Sequence, residues 1–171
     1  MQLGTPTTTE LRSIPEGFPG VVETLKVMSR FAREGKTTML VRSTAMRLIQ
    51  SCGHKDFSCQ VRKLHAFVRD SIQYVMDVDG VETVQTPQKT LEFAAGDCDD
   101  KSTLLAALLG SIGHPTRFIA VGFEPQIFSH VYLETLIGTR WIPLETTEPV
   151  EAGWQPDPQL IMAGPYIHRA A

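Results

Sequence analysis

From Lys101 to Arg117 the chain runs through Ser102-Thr103-Leu104-Leu105-Ala106-Ala107-Leu108-Leu109 without another Asp, Glu, Lys or Arg. A helix apolar on every side cannot lie on a surface, so this one has to be the buried centre of whatever forms around it. Gly96-Asp97-Cys98-Asp99-Asp100 stands immediately before it, with Asp97 placed as an N-cap, and Gly113 supplies a C-terminal stop. The helix is therefore expected over Cys98 to Ile112, with a thiol on its first turn.

The remaining elements arrange themselves about that segment. Residues 1–20 are rich in Thr, Pro and Gly and read as an irregular arm. Val22, Leu25, Met28, Phe31 and Ala32 recur at helical steps, predicting a helix from Val21 to about Arg33. A second is expected from about Thr38 to Cys52, and a third after the Asp56 N-cap, with Val61, Leu64, Val68 and Ile72 on one face. Residues 77–95 lack a period and carry turn signals at Asp79-Gly80 and Thr86-Pro87, as in a long connection. A strand is expected over Arg117 to Phe123, then a hairpin turning at Ile137-Gly138. Residues 150–171 read as a Pro-rich tail, leaving 21–149 as the single domain. Helices first and strands second define an α+β class, a helical N-terminal part packed on an antiparallel sheet.

Bulk properties narrow the function. A chain of 171 residues, 42% hydrophobic and 20% charged, suits one globular domain. A net charge of −3 supplies no basic field for nucleic acid or an anionic membrane. No run approaches the ~18 apolar residues of a membrane span, and the N-terminus lacks the pattern of a secretion signal. Three cysteines cannot all pair within one chain, which favours free thiols and a cytoplasmic location.

The hairpin positions two further groups. Pairing Leu136 with Thr139 sets His130 directly opposite Glu145. Because side chains alternate, His130, Tyr132 and Glu134 then share a face with Trp141, Pro143 and Glu145, while Val131, Leu133, Ile142 and Leu144 face the core. A carboxylate opposite an imidazole can orient it. Helix amides lower a thiol's pKa and offer oxyanion donors; Asp97, Asp99 and Asp100 oppose the first effect, so a thiolate requires a neighbouring imidazolium. Cys98, His130 and Glu145 are thus the expected catalytic residues, with Tyr132 and Trp141 expected to line a substrate groove. Gln85 and Gln88 are upstream amides that could assist an oxyanion but are not counted among the site residues. Cys52, His54, Cys59 and His65, with one, four and five residues between them, match no common zinc spacing, so neither metal nor cofactor is expected.

These blocks resemble the transglutaminase-like superfamily, a papain-related set of folds. The likeness runs through Phe67-Val68-Arg69-Asp70-Ser71-Ile72-Gln73-Tyr74, the Cys98 block, Gly113-His114-Pro115-Thr116-Arg117, His130-Val131-Tyr132-Leu133-Glu134 and Trp141-Ile142-Pro143-Leu144-Glu145-Thr146-Thr147. It covers about residues 60–148. It implies that Cys98 is the nucleophile, His130 the general base and position 145 the orienting acid, where Glu stands in place of the family's usual Asp. Reach and angle change with that extra methylene.

Two functions follow as expectations. One is a thiol acyl-transfer enzyme, a cysteine peptidase or amidase in preference to a protein cross-linker, acting on a protein or peptide. The other is a catalytically idle scaffold that docks assembly partners through its two terminal segments, as in a phage particle assembled in the cytoplasm.

Overall fold

The computed structural model describes residues 17–77 and 83–171. Five α-helices lie among them: α1 (Phe18–Gly35), α2 (Met39–Ile49), α3 (Phe57–Ser71), α4 (Pro87–Phe93) and α5 (Cys98–Ser111). A four-stranded antiparallel sheet is built from β3 (Thr116–Gly122), β4 (His130–Ile137), β5 (Arg140–Leu144) and β6 (Ala163–Arg169), in the order β5-β4-β3-β6. Two short strands, β1 (Gln73–Tyr74) and β2 (Ala95–Gly96), pair in parallel just before the cysteine. The α+β class expected from sequence is the class observed.

Helix α5 is the centre. Leu104, Leu105, Ala106, Ala107, Leu108 and Leu109 are each 0% exposed, which accounts for a helix with no polar side. α1, α2, α3 and α4 pack around it, and Phe118, Ala120, Val131, Leu133 and Leu144 close the core from the sheet. The opposite face of the sheet carries a smaller cluster of Ile119, Val121 and Tyr132.

Several boundaries moved for identifiable reasons. α1 begins three residues before Val21 because Pro19, read from sequence as part of the arm, sits in its first turn, where a missing N–H costs nothing. Thr86-Pro87, read as a turn, is likewise a cap and first-turn proline: the Thr86 hydroxyl accepts from the Lys89 amide, and α4 follows inside the expected connection. The arm up to residue 16 and the Asp79-Gly80 turn signal lie outside the described residues.

Two expectations are corrected. The supposed tail is partly sheet: β6 pairs with β3 from Arg117↔Arg169 to Gly122↔Ala163, and the Ser29 hydroxyl on α1 meets the Arg169 and Ala170 carbonyls. Pro and Gly in this segment are compatible with an edge strand, whose outer side has no ladder to complete. Cys52 and Cys59 are not free thiols packed at helix ends. They form a disulfide joining the turn after α2 to the first turn of α3, which removes both from any metal-ligand set. Cys98 is the free thiol.

Closing a loop of this length restricts the unfolded chain by about 2 kcal/mol. The Cys52→Ser/Cys59→Ser double variant is expected to lose about that much in urea unfolding, with a midpoint matching that of the reduced parent protein. Equal midpoints for variant and oxidised parent would show that the bond contributes no stability.

Candidate functional site

The site begins with the cap of α5. Asp97 Oδ1 accepts from the amides of Asp99 (3.0 Å) and Asp100 (3.1 Å), and the Asp100 carboxylate reaches back to the Asp97 amide. Gly96 makes this box possible, since a Cβ there would stand 2.5 Å from Asp100 Cβ. Gln85 locks Asp100 from outside, with its main-chain amide on Oδ1 (2.7 Å) and its side-chain amide on Oδ2 (2.6 Å). That contact gives Gln85 a structural task at the cap.

The His130–Glu145 pair forms, but not in the expected register. The hairpin turns at Gly138-Thr139, with Ile137↔Arg140 and Leu136↔Trp141 as its first pairs. Gly138 (φ +61°) takes the first central position of the two-residue turn, a place that favours glycine. The register is therefore two residues from the one expected, and His130 and Glu145 are diagonal neighbours. An even shift keeps every side chain on its face, so the pairing survives. His130 Nε2 donates to Glu145 Oε2 at 2.6 Å, and the longer glutamate reach suits the diagonal.

Glu145 is 1% exposed, and its other oxygen accepts from the Thr147 amide (2.7 Å) and hydroxyl (2.8 Å). Burial alone would raise its pKa, but the bond and charge of His130 and the two Thr147 donors outweigh it and hold the carboxyl below its ordinary value. A carboxylate only accepts, so the His130 Nε2 carries the proton and Nδ1 is the basic nitrogen.

Cys98 is half-buried on the α5 side of β4, against the main chain at Val131, the residue next to His130. Ser102, one turn on, donates to the Val131 carbonyl at 3.4 Å and ties the helix to the strand there. Among the described residues the thiol bonds Asp99 Oδ1 at 3.6 Å and makes no hydrogen bond to His130. Burial pushes its pKa well above the ordinary thiol value, and Asp99 and Asp97 push it further. The expected lowering by the helix terminus is outweighed, and the resting group is a thiol.

Tyr132 is 5% exposed and packs with Ile119 and Val121, its ring 6.4 Å from that of His130. Trp141 stands toward the turn, covered by the Arg117 guanidinium at 4.1 Å, and Arg117 pairs with Glu134 at 2.6 Å. The structure thus sets Tyr132 beside His130 and Trp141 well away from it. Two aromatics not singled out from sequence flank the site. Phe123 stacks on His130 at 6.4 Å, and Tyr74 pairs with Gly96 through β1 and β2, its hydroxyl within the field of Cys98, Asp97 and Asp99. Both are exposed, and both follow strand positions whose partners are set only by the sheet. His65 stands out in the sequence only as a candidate metal ligand; it is buried, and its Nε2 meets the Glu145 carbonyl. No group of three metal-binding side chains occurs among the described residues.

A thiol at the head of a buried helix, a histidine opening one strand and an acid following the next define a papain-like arrangement of parts. The sequence model of the transglutaminase-like superfamily matches residues 42–146, and the chain belongs to that superfamily. The match begins within α2, earlier than the resemblance read from sequence. Three solved structures share the fold. A "putative protease" from Parabacteroides distasonis is 13% identical (TM-score 0.57), covering 72% of this chain and 26% of its own. A "putative cysteine protease" from Cytophaga hutchinsonii is 18% identical (TM-score 0.55), covering 82% and 47%. Legionella pneumophila LapG, in an EGTA-treated form, is 17% identical (TM-score 0.51), covering 85% and 78%. The chain thus spans about a quarter and about half of the first two. No curated protein gives a significant match. Among the described residues no helix is long and apolar enough to cross a membrane.

The cap has a pH signature. Burial and then the Asp100 charge push Asp97 up to about 7, and burial pushes Asp100 up to about 6. A raised carboxyl favours the folded state when protonated, so its cost grows as pH rises from about 4 through the folded value. His65, His114 and His168, all lowered by burial, act in the opposite sense below about pH 6.5. The difference between Asp100→Asn and parent cancels the histidines and reports the carboxyl pair, since removing the Asp100 charge also relaxes Asp97. Relative to parent, the variant is expected to gain on the order of 2 kcal/mol between pH 4 and 7 in urea unfolding, whatever its absolute stability. A pH-independent difference would place Asp100 near its ordinary value.

Proposed function

We propose that the protein is a thiol-dependent acyl-transfer enzyme, a cysteine peptidase or amidase, working through Cys98, His130 and Glu145. The observation that carries this reading is the 2.6 Å bond from His130 Nε2 to a glutamate that is 1% exposed and held by two further donors. Burying a carboxylate this fully is costly unless it is paired, and here its geometry serves to aim an imidazole at the end of the sheet.

The raised thiol sets the order of events. Cys98 attacks the substrate carbonyl carbon as its proton passes to His130 Nδ1; the carbonyl π-electrons move onto oxygen. Glu145 stabilises the imidazolium that results. The amides of Asp99 and Asp100 are occupied by Asp97, so among the described residues the Cys98 amide is the first-turn donor left for the oxyanion. Collapse expels the amine with the proton from His130, and water then cleaves the thioester with His130 as base.

The bond from the thiol to Asp99 favours a second reading, a transglutaminase-like scaffold without chemistry, such as a component of a phage particle. Since β6 belongs to the sheet, docking through terminal segments would then use the N-terminal arm and the stretch ahead of β6, where Trp154, Leu160 and Met162 are exposed.

Iodoacetamide labelling of Cys98 across pH 4 to 9, followed by peptide mass spectrometry, separates the two. Enzyme chemistry predicts labelling that falls at least tenfold in His130→Ala and is weakened in Glu145→Ala. Labelling with a plain thiol profile, unchanged by either substitution, supports the scaffold. Asp99→Asn removes a negative charge from the thiol and is expected to raise labelling at pH 7.5 several-fold; no rise would show that Asp99 does not hold the thiol protonated.

A further inference from the structure

We propose that His65, on the buried face of α3, is a positioning residue of this site, holding the Glu145 main chain so that its carboxylate meets His130. The proposal rests on the catalytic reading for its meaning, though not for its geometry.

The sheet ladder between β4 and β5 ends at Leu133↔Leu144. Glu145 is the first residue beyond it, so no strand pairing fixes its main chain. What fixes it is His65: its Nε2 meets the Glu145 carbonyl, and since a carbonyl only accepts, that nitrogen carries the proton. His65 is 1% exposed, and Glu145 is matched to it in burial. A displacement of the main chain at 145 would move both carboxylate oxygens from their partners.

α3 holds the following segment as well. Arg69, one turn beyond His65, donates to the Val150 carbonyl at 2.7 Å and to Glu151 at 3.0 Å. From the other side Lys101, three residues after Cys98, donates its Nζ to the Ile72 carbonyl at 2.7 Å and the Arg69 carbonyl at 3.3 Å, satisfying carbonyls at the end of α3. The same helix thus contacts the thiol-bearing helix through Lys101 and the acid-bearing segment through His65 and Arg69. That makes α3 the common frame against which nucleophile and acid are set. The charged groups facing the His65 ring are Arg69 and Asp70 on its own helix, with Glu145 and Glu151 across from it.

The test compares the full-length parent with His65→Leu, which removes the donor at similar size, and His65→Gln, which keeps an N–H near the same place. Imidazole ¹⁵N–¹H spectra report the His130 Nε2 proton directly. It should be slowly exchanging in the parent, exchange at least tenfold faster in His65→Leu, and recover in His65→Gln. His130-dependent labelling of Cys98 should follow, falling about tenfold in the Leu variant, as loss of an outer partner that orients a functional side chain commonly does. A Leu variant with the parent's His130 signal overturns the proposal, as does a folded Gln variant that loses the signal as fully as Leu. Should the Leu variant not fold, the parent decides: His65 must be the Nε2–H tautomer, and an Nδ1–H tautomer overturns the proposal. Labelling of the parent that ignores His130 would sink the catalytic reading alone, and the spectra would still decide the role of His65.

Discussion

The described residues are arranged around a helix that must be covered on all sides. Six consecutive side chains of α5 are wholly removed from water, and no single layer can do that. Helices α1 to α4 supply one part of the cover and the inner face of the sheet the other. Each apolar Å² so enclosed stabilises the fold by about 25 cal/mol. The consequence of this enclosure for the site is geometric: the head of α5 is set against β4, where Ser102 bonds the Val131 carbonyl and Cys98 meets the same main chain.

Electrostatics there are divided. On the sheet, a buried glutamate is held ionised by three hydrogen bonds and aligns an imidazole. On the helix, burial pushes the thiol and both capping carboxyls up, and Asp99 and Asp97 push the thiol further. The helix terminus favours negative charge, but the cap already supplies it, and a second anion on the sulfur would face like charges at short range. The resting thiol is therefore neutral, and the acyl transfer proposed for it would require its proton to move as the bond to carbon forms.

The readings from sequence divide along the same physical line. Helix periodicity, the Asp56 and Asp97 caps and the alternation of β4 were legible because each depends on residues within a few positions of one another. The hairpin was half legible: alternation assigns the faces correctly but sets the turn one residue early, and an even register shift left the His130–Glu145 partnership intact. β6 was not legible, since a strand containing Gly164-Pro165 becomes a strand only when the free edge of β3 is offered to it. The Cys52–Cys59 bond escapes a count of cysteines, because an odd total says nothing of two thiols that a helix–helix corner brings together.

That Cys98 heads the buried helix and that His130 shares a face with Glu145 could be read from the chain alone, because capping and strand alternation are local rules that a linear pattern records. Tertiary structure alone decided that Tyr132 is packed beside His130 while Trp141 stands apart, that Phe123 and Tyr74 flank the site, and that His65 holds Glu145. It also decided the protonation of the thiol. Burial and the field of neighbouring charges depend on distances between groups far apart in sequence, and those distances exist only once α5 has been enclosed.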